Sequence, residues 1–264
     1  ILAVYIGGKR VMEGAITTGN IAEFIVYVNQ LTFPVTMLGW VTTLIQRAAA
    51  SQKRINEFLQ LQPDIISNHT EETSLTGKIS FKEVSFTYPD TGIKALKNVS
   101  FDIEQGQLIA IIGRTGSGKS TLANLIMRMY DADSGRIEVD GKELRNINLY
   151  NYRNQIGFVP QEVFLFSDTI KNNIAFGLNK IKGDEVERAA KNAAVYNNII
   201  NFDLKFETML GERGITLSGG QKQRVSIGRA LIKEPKILIF DDCLSAVDTK
   251  TEEEILSNLG KIMK

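Results

Sequence analysis

The sequence has a single cysteine, Cys243, and a single histidine, His69, among 264 residues. One thiol excludes an intrachain disulfide, and it excludes a zinc cluster built from thiolates. This usage suits a reducing compartment. Cys243 follows two aspartates at the end of an apolar run and is expected to be a small packing residue. Neither sign of charge dominates, since 31 basic against 30 acidic residues leave a net charge of +1. A nucleic-acid partner, which recruits clustered Lys and Arg, is therefore not expected. No secretory leader is recognisable. The chain opens on the apolar stretch Ile1-Leu2-Ala3-Val4-Tyr5-Ile6, as a fragment of a longer protein would. What is present is an ordinary globular balance, 43% apolar and 23% charged, with length for one full domain and a smaller appendage.

A second absence is local. From Phe24 to Gln46 there is no Asp, Glu, Lys or Arg, a run long enough to cross a bilayer core as a helix, which takes about 20 residues. Asn29, Thr32, Thr36, Gly39 and Thr43 recur at spacings of three and four, so a helix gathers them into one stripe. Such a stripe suits a face turned to a neighbouring helix or a cavity. Pro34 predicts a kink, which membrane helices tolerate. Arg47, Lys53 and Arg54 follow, and by the positive-inside rule they put this end in the cytoplasm. A buried helix of a soluble domain is the competing reading. Residues 1–62 are thus expected to hold a membrane helix at about 21–46 and its cytoplasmic extension, and residues 63–77 a polar linker.

From residue 78 onward the pattern changes. Ile79–Tyr88 alternates apolar and polar residues, as a half-buried antiparallel strand does, with Val99–Ile103 as its companion. Strands and helices then alternate: a strand at Leu108–Ile112, a helix from Lys119, a strand at Ile156–Val159, helices from about Asp184 and from Gln221, and a strand at Ile237–Phe240. The succession predicts an α/β fold with parallel strands and crossover helices.

Two segments carry phosphate chemistry. Gly113-Arg-Thr-Gly-Ser-Gly-Lys-Ser120 has four residues between its first glycine and Gly-Lys-Ser, the P-loop spacing. Its expected contacts run through Gly113, Thr115, Gly116, Ser117, Gly118, Lys119, Ser120 and Thr121. The glycines let successive N–H groups turn inward onto phosphate oxygens, and a helix N-terminus adds partial positive charge there. Lys119 is placed to reach the β- and γ-phosphates of ATP, and the Ser120 hydroxyl to ligate Mg²⁺. The second segment, Ile237-Leu-Ile-Phe-Asp-Asp242, delivers carboxylates to the C-terminal edge of a strand, where α/β folds place ligands. Asp241 would complete the Mg²⁺ shell.

Between them stands Leu217-Ser-Gly-Gly-Gln221, followed by KQRVSIGRAL. Here the chain resembles the ATP-binding cassette (ABC) family, over everything from about Gly77 onward. The resemblance implies a P-loop NTPase core with an antiparallel β subdomain and a helical signature subdomain, preceded by a transmembrane helix. It implies two cassettes paired head to tail, each ATP lying between one P-loop and the partner's Ser218, Gly219, Gly220 and Gln221. Tyr88 matches the aromatic that stacks on adenine, although alone it reads equally as a core tyrosine. Gln161, in Val-Pro-Gln, matches the glutamine that touches Mg²⁺, serves catalysis and senses the membrane domain. Asp248, in Ser-Ala-Val-Asp, matches the loop that crosses the dimer interface.

LFSDTIKNNIAFG resembles the half-transporter exporter branch, and Glu207–Gly214 its contact with the intracellular loops. The reading is an integral membrane exporter whose ATPase lies on the cytoplasmic side. A regulatory ATP-binding subunit and a soluble ABC ATPase remain as alternatives. Two departures stand out. The catalytic base, glutamate in most active members, is Asp242, one methylene shorter, which implies slow hydrolysis. The family's switch histidine would follow Asp248 by some thirty residues, beyond Lys264, so truncation is expected there.

Overall fold

The structure, a computed structural model, describes residues 1–263 apart from Asn68, Asn179 and Lys182. Asn68 belongs to the expected linker and lies outside the described residues. The chain divides into two units, Ile1–Asp64 and Ile65–Lys264.

The first unit is two helices, α1 (Leu2–Met12) and α2 (Thr18–Gln60). They meet closely where Gly7 faces Ile21: a Cβ on Gly7 would lie 2.9 Å from the Ile21 side chain. Thr17 and Asn20 cap α2 reciprocally, the Thr17 N–H donating to Asn20 Oδ1 at 3.0 Å, which satisfies groups that a helix start leaves orphaned. The helix then runs 43 residues through Pro34. At 1.5 Å per residue that is about 65 Å, roughly twice a hydrocarbon core, so the helix continues well past its apolar run. The threonines bond within the helix, Thr32 Oγ1 to Val28 O and Thr36 Oγ1 to Thr32 O, both at 2.8 Å. Hydroxyls satisfied in this way are the kind a bilayer tolerates. None of α2 is buried, and Leu31, Phe33, Leu38 and Trp40 are all largely exposed.

In the second unit, β1 (Ile79–Thr87) is central to an antiparallel sheet with β2 (Lys94–Ile103), β3 (Ser134–Val139) and β4 (Lys142–Glu143), in the order β2-β1-β3-β4. The alternation read in the sequence sets the faces: Phe81, Val84 and Phe86 point into the core. The strand companion is longer than expected, pairing from Thr87↔Lys94 to Ile79↔Ile103. Beneath the sheet lies α3 (Lys119–Ile126), burying Leu122, Leu125 and Ile126 in the same core. α4 (Leu149–Asn154) adds Tyr152, which is fully buried.

A second core gathers the helices α5 (Ile170–Ile174), α6 (Gly183–Asn192), α7 (Tyr196–Ile200), α8 (Gly219–Leu231) and α9 (Thr249–Ile262). Between the two cores runs a parallel pair, β5 (Ile156–Val159) with β6 (Ile237–Phe240), in register Ile156↔Ile237 to Val159↔Phe240. Ile156 and Ile237 belong to the sheet core, and Val159 belongs to the helical one. Cys243 is 1% exposed in the helical core, and its thiol is pushed up to about 12 by burial. That environment matches a packing role.

One expected element is corrected. Leu108–Ile112 forms no strand; Leu108 is 90% and Ile112 94% exposed. Five apolar residues have strand propensity, yet a strand exists only where a ladder satisfies its backbone. The parallel ladder consists of β5 and β6 alone, and residues 108–112 pair with neither.

Tyr152 makes the clearest test of packing. Its hydroxyl donates to Ile126 O at 2.8 Å, a carbonyl left free at the end of α3. Tyr152→Phe should therefore cost about 1–3 kcal/mol of unfolding free energy, the desolvation of an orphaned carbonyl. Urea unfolding of the detergent-solubilised protein checks it, and an unchanged midpoint would contradict the assignment.

Candidate functional site

The phosphate loop is shaped by its glycines. Gly118 caps α3 at φ +93, in the left-handed region, and a Cβ there would sit 2.8 Å from Ala95 O. The turn before it closes through Ser117 N to Arg114 O at 3.1 Å. Lys119 folds back over this turn, Nζ donating to Gly113 O at 2.9 Å and Arg114 O at 3.1 Å. Its ammonium is thus held at the loop by two neutral carbonyls, bonds that an anion of higher charge can replace. Residues 113–117 and Ser120 are exposed. Behind them Thr121 is 4% exposed, its hydroxyl 3.0 Å from the Tyr88 hydroxyl. The Tyr88 ring stands edge-on to Phe86 and Tyr130.

The strand ends supply the acids. Asp241 follows β6 and its N–H donates to Val159 O at 3.0 Å, extending the ladder by one step. Asp242 turns into the left-handed region at φ +49, where aspartate is tolerated better than most residues with a Cβ. The turn exposes its carboxylate, and Gln161 Nε2 donates to Asp242 Oδ2 at 3.1 Å. The two residues expected in catalysis, 81 positions apart, are thus in contact. No hydrogen bond among the described residues joins the 113–120 loop to Gln161, Asp241 or Asp242.

The signature segment opens α8. Ser218 caps it in a reciprocal box: Gln221 N donates to Ser218 Oγ at 3.3 Å, and Ser218 N to Gln221 Oε1 at 2.9 Å. Gly220 sits against the loop 245–248, where a Cβ would approach Ala246 O to 2.8 Å. Asp248 caps α9, accepting from Thr251 N at 3.0 Å, and hydrogen bonding from the Thr251 side chain and then its backbone N–H holds its carboxyl below the usual range. The sequence reading passed over Arg224. It donates to Gly220 O at 3.2 Å, Ala194 O at 2.6 Å and Asn198 Oδ1 at 3.0 Å, so it ties the helix start to the end of α6 and to α7. Its position one turn beyond Gly220 is the only sequence signal for this role.

A family model described as ABC transporter matches residues 96–245. The chain belongs to the ABC transporter family. Among curated relatives, the uncharacterized ABC transporter ATP-binding protein YfiB of Bacillus subtilis is 44% identical over 98% of this chain and 45% of its own length. The multidrug resistance-like ATP-binding protein MdlA of Escherichia coli is 40% identical over 98% of the chain and 44% of its length. An ATP-dependent lipid A-core flippase of Pseudomonas fluorescens is 40% identical over 96% and 42%. A solved structure of a bacterial Atm1-family ABC exporter with ATP bound aligns with a TM-score of 0.79, at 36% identity over 94% of the chain and 44% of the exporter. The chain therefore spans less than half the length of these relatives.

Within this ABC transporter chain, the oxygen donors of these residues suit Mg²⁺ chemistry. Asp241, the Ser120 hydroxyl and the Gln161 amide oxygen are hard oxygen ligands, and Gln161 Nε2 is engaged by Asp242, leaving Oε1 free to ligate. No cluster of three His, Cys, Asp or Glu side chains occurs among the described residues.

Gly118→Ala tests the loop geometry directly. It forces a left-handed alanine, a strain of about 1–2 kcal/mol, and a clash with Ala95 O. A lower melting temperature together with at least tenfold weaker ATP binding by calorimetry is expected, about the ratio that 1.4 kcal/mol produces. Unchanged ATP affinity would contradict a phosphate role.

Proposed function

We infer that the chain is the ATP-hydrolysing end of a dimeric membrane exporter, with α2 as a membrane helix and the second unit on the cytoplasmic side. The observation that carries this reading is the contact between Gln161 and Asp242 beside Asp241, in a chain that also holds an ordered P-loop and a capped signature helix. The domain assignment follows: residues 1–62 as the end of a membrane domain, 63–77 as linker and 78–264 as the cassette. In the bound state Gly113, Thr115, Gly116, Ser117, Gly118 and Thr121 surround the phosphates and Lys119 neutralises them. Tyr88 lies beside the base. Ser120, Asp241 and Gln161 would hold Mg²⁺, whose contribution would be to offset phosphate charge. Asp242 accepts the proton of the attacking water, and Gln161 orients that carboxylate.

The partner's signature completes each site, through Ser218, Gly219, Gly220, Gln221 and Asp248. Each of these lies on an exposed or half-buried edge, and both helix starts concerned have their caps in place. The intracellular loops of the membrane domain are the remaining partner, against Gln161 and the segment Glu207–Gly214. This shared site gives a direct test. Mixing a Ser218→Arg subunit with a Lys119→Ala subunit, each in the full-length protein, leaves one intact composite site and one doubly broken site. Mixed dimers should show ATP-dependent association that neither mutant shows alone; equal association in all three preparations would defeat the head-to-tail reading.

Asp242 decides how fast the site runs. Its carboxylate is one methylene shorter than glutamate, and a misplacement of about 1 Å can cost roughly 10²-fold. Asp242→Glu in the full-length protein should therefore raise steady-state turnover, by at most about 10²-fold. Asp242→Asn should lower turnover and prolong the ATP-bound dimer, because it keeps the shape and removes the proton acceptor. ATP affinity should change little in both. A rate unchanged across all three proteins would remove Asp242 from catalysis.

A further inference from the structure

Residues 73–78 have no partner strand on their linker side, yet their backbone is held residue by residue by side chains. Thr73 N donates to Asn151 Oδ1 at 3.0 Å, and Leu75 N to Gln155 Oε1 at 2.9 Å. Gln155 Nε2 donates to Thr73 O at 2.7 Å and to Asn151 Oδ1 at 3.1 Å. Two amide side chains thus supply the donor and acceptors that a neighbouring strand would supply. Further along, the N–H groups of Thr76, Gly77 and Lys78 donate to the Asp140 carboxylate at 2.7, 3.2 and 2.9 Å. Leu75, 3% exposed, is driven into the sheet core between the two clamps.

Gln155 is also the junction that starts the parallel pair. Its backbone carbonyl accepts from Lys236 N at 2.8 Å and Ile237 N at 3.3 Å. Gly77, at φ +102, lets the strap pass so close that a Cβ would lie 3.2 Å from Lys236 O. The strap therefore grips β5 and β6 at their N-terminal ends, while Gln161, Asp241 and Asp242 follow their C-terminal ends. Four residues of strand span about 13 Å, short enough to move as one piece. The Asp140 clamp differs, since Asp140 sits in the β3–β4 turn and bonds neither β5 nor β6.

We propose that residues 73–75, clamped by Asn151 and Gln155, form a strap that transmits displacement of the chain leaving α2 to β5 and β6, and through them sets Gln161 against Asp242. Gln155 is then a positioning residue for hydrolysis. The proposal rests on the reading of the chain as the ATPase end of an exporter. The strap is a covalent route into the site, separate from any loop that docks on its surface.

The test uses the full-length protein in lipid nanodiscs, as wild type, Gln155→Ala, Gln155→Glu and Asp140→Asn. Gln155→Ala should lower kcat for ATP about three- to thirty-fold, the range of such couplings, with KM for ATP nearly unchanged. Gln155→Glu keeps the acceptor for Leu75 N and loses the donor to Thr73 O, so it should fall between. Asp140→Asn removes the charge and one of the two acceptor oxygens that hold Thr76, Gly77 and Lys78, and should lower the melting temperature while leaving kcat near wild type. Equal losses of kcat in Gln155→Ala and Asp140→Asn would mean mere stabilisation and overturn the proposal, as would no loss in Gln155→Ala.

Hydrogen exchange with Mg·ATP as the probe gives a readout independent of turnover. Binding should change protection at Thr73 and Leu75 in wild type and not in Gln155→Ala. Absence of that response in wild type overturns the strap. A response without hydrolysis overturns the ATPase reading and leaves the strap in place.

Discussion

The register of β5 against β6 is the constraint on which the site depends. Pairing runs from Ile156↔Ile237 to Val159↔Phe240, and Asp241 N adds one bond to Val159 O. A slip of one residue would reverse the facing of every side chain on the slipped strand. It would also carry Asp241 and Asp242 about 3.3 Å along the strand axis away from Gln161, breaking a contact only 3.1 Å long. Both strands are anchored at the other end by the carbonyl of Gln155, which accepts from Lys236 and Ile237. Packing secures the register from two sides, since Ile156 and Ile237 are buried in the sheet core and Val159 in the helical core. Catalytic geometry and core packing are here the same set of contacts.

Much of this was legible in the residues, where the signal is local. The alternation of Ile79–Tyr88, the apolar run of α2, the strand Ile237–Phe240 and the glycine spacing of the loop each report a period or a turn that a few residues determine. What escaped depends on distant partners. Leu108–Ile112 has the composition of a strand, but pairing depends on which backbone edges reach it. The expected linker read as polar, and nothing in its composition shows that Asn151 and Gln155 supply its bonds or that Leu75 enters the core. Arg224 escaped for the same reason, because two of its acceptors, Ala194 and Asn198, lie about thirty residues earlier in the chain.

The two segments proposed to face phosphate are built by different means. In the 113–120 loop the backbone is turned by glycines in the left-handed region, Gly116 at φ +79 and Gly118 at φ +93, which glycine adopts without strain, and Lys119 is held back on carbonyls of the loop itself. That loop is complete within one chain. At the signature, Ser218 Oγ already accepts from Gln221 N. A hydroxyl that accepts in a cap keeps its own hydrogen free to donate, so binding an anion at Ser218 leaves the cap intact. The helix N-terminus adds favourable potential without any rearrangement.

Gly220 limits what can vary at that second segment. Its contact with Ala246 O leaves no room for a side chain, so the start of α8 and the loop leading to Asp248 are packed as one surface. Asp248 itself is occupied as the cap of α9 through one oxygen, accepting from Thr251 N. The Ser218 hydroxyl hydrogen is a polar group that this surface still offers to another molecule. The two adjoining helix starts, packed through Gly220 against Ala246 and braced by Arg224, hold that donor in a fixed place. This is the face on which a second cassette is proposed.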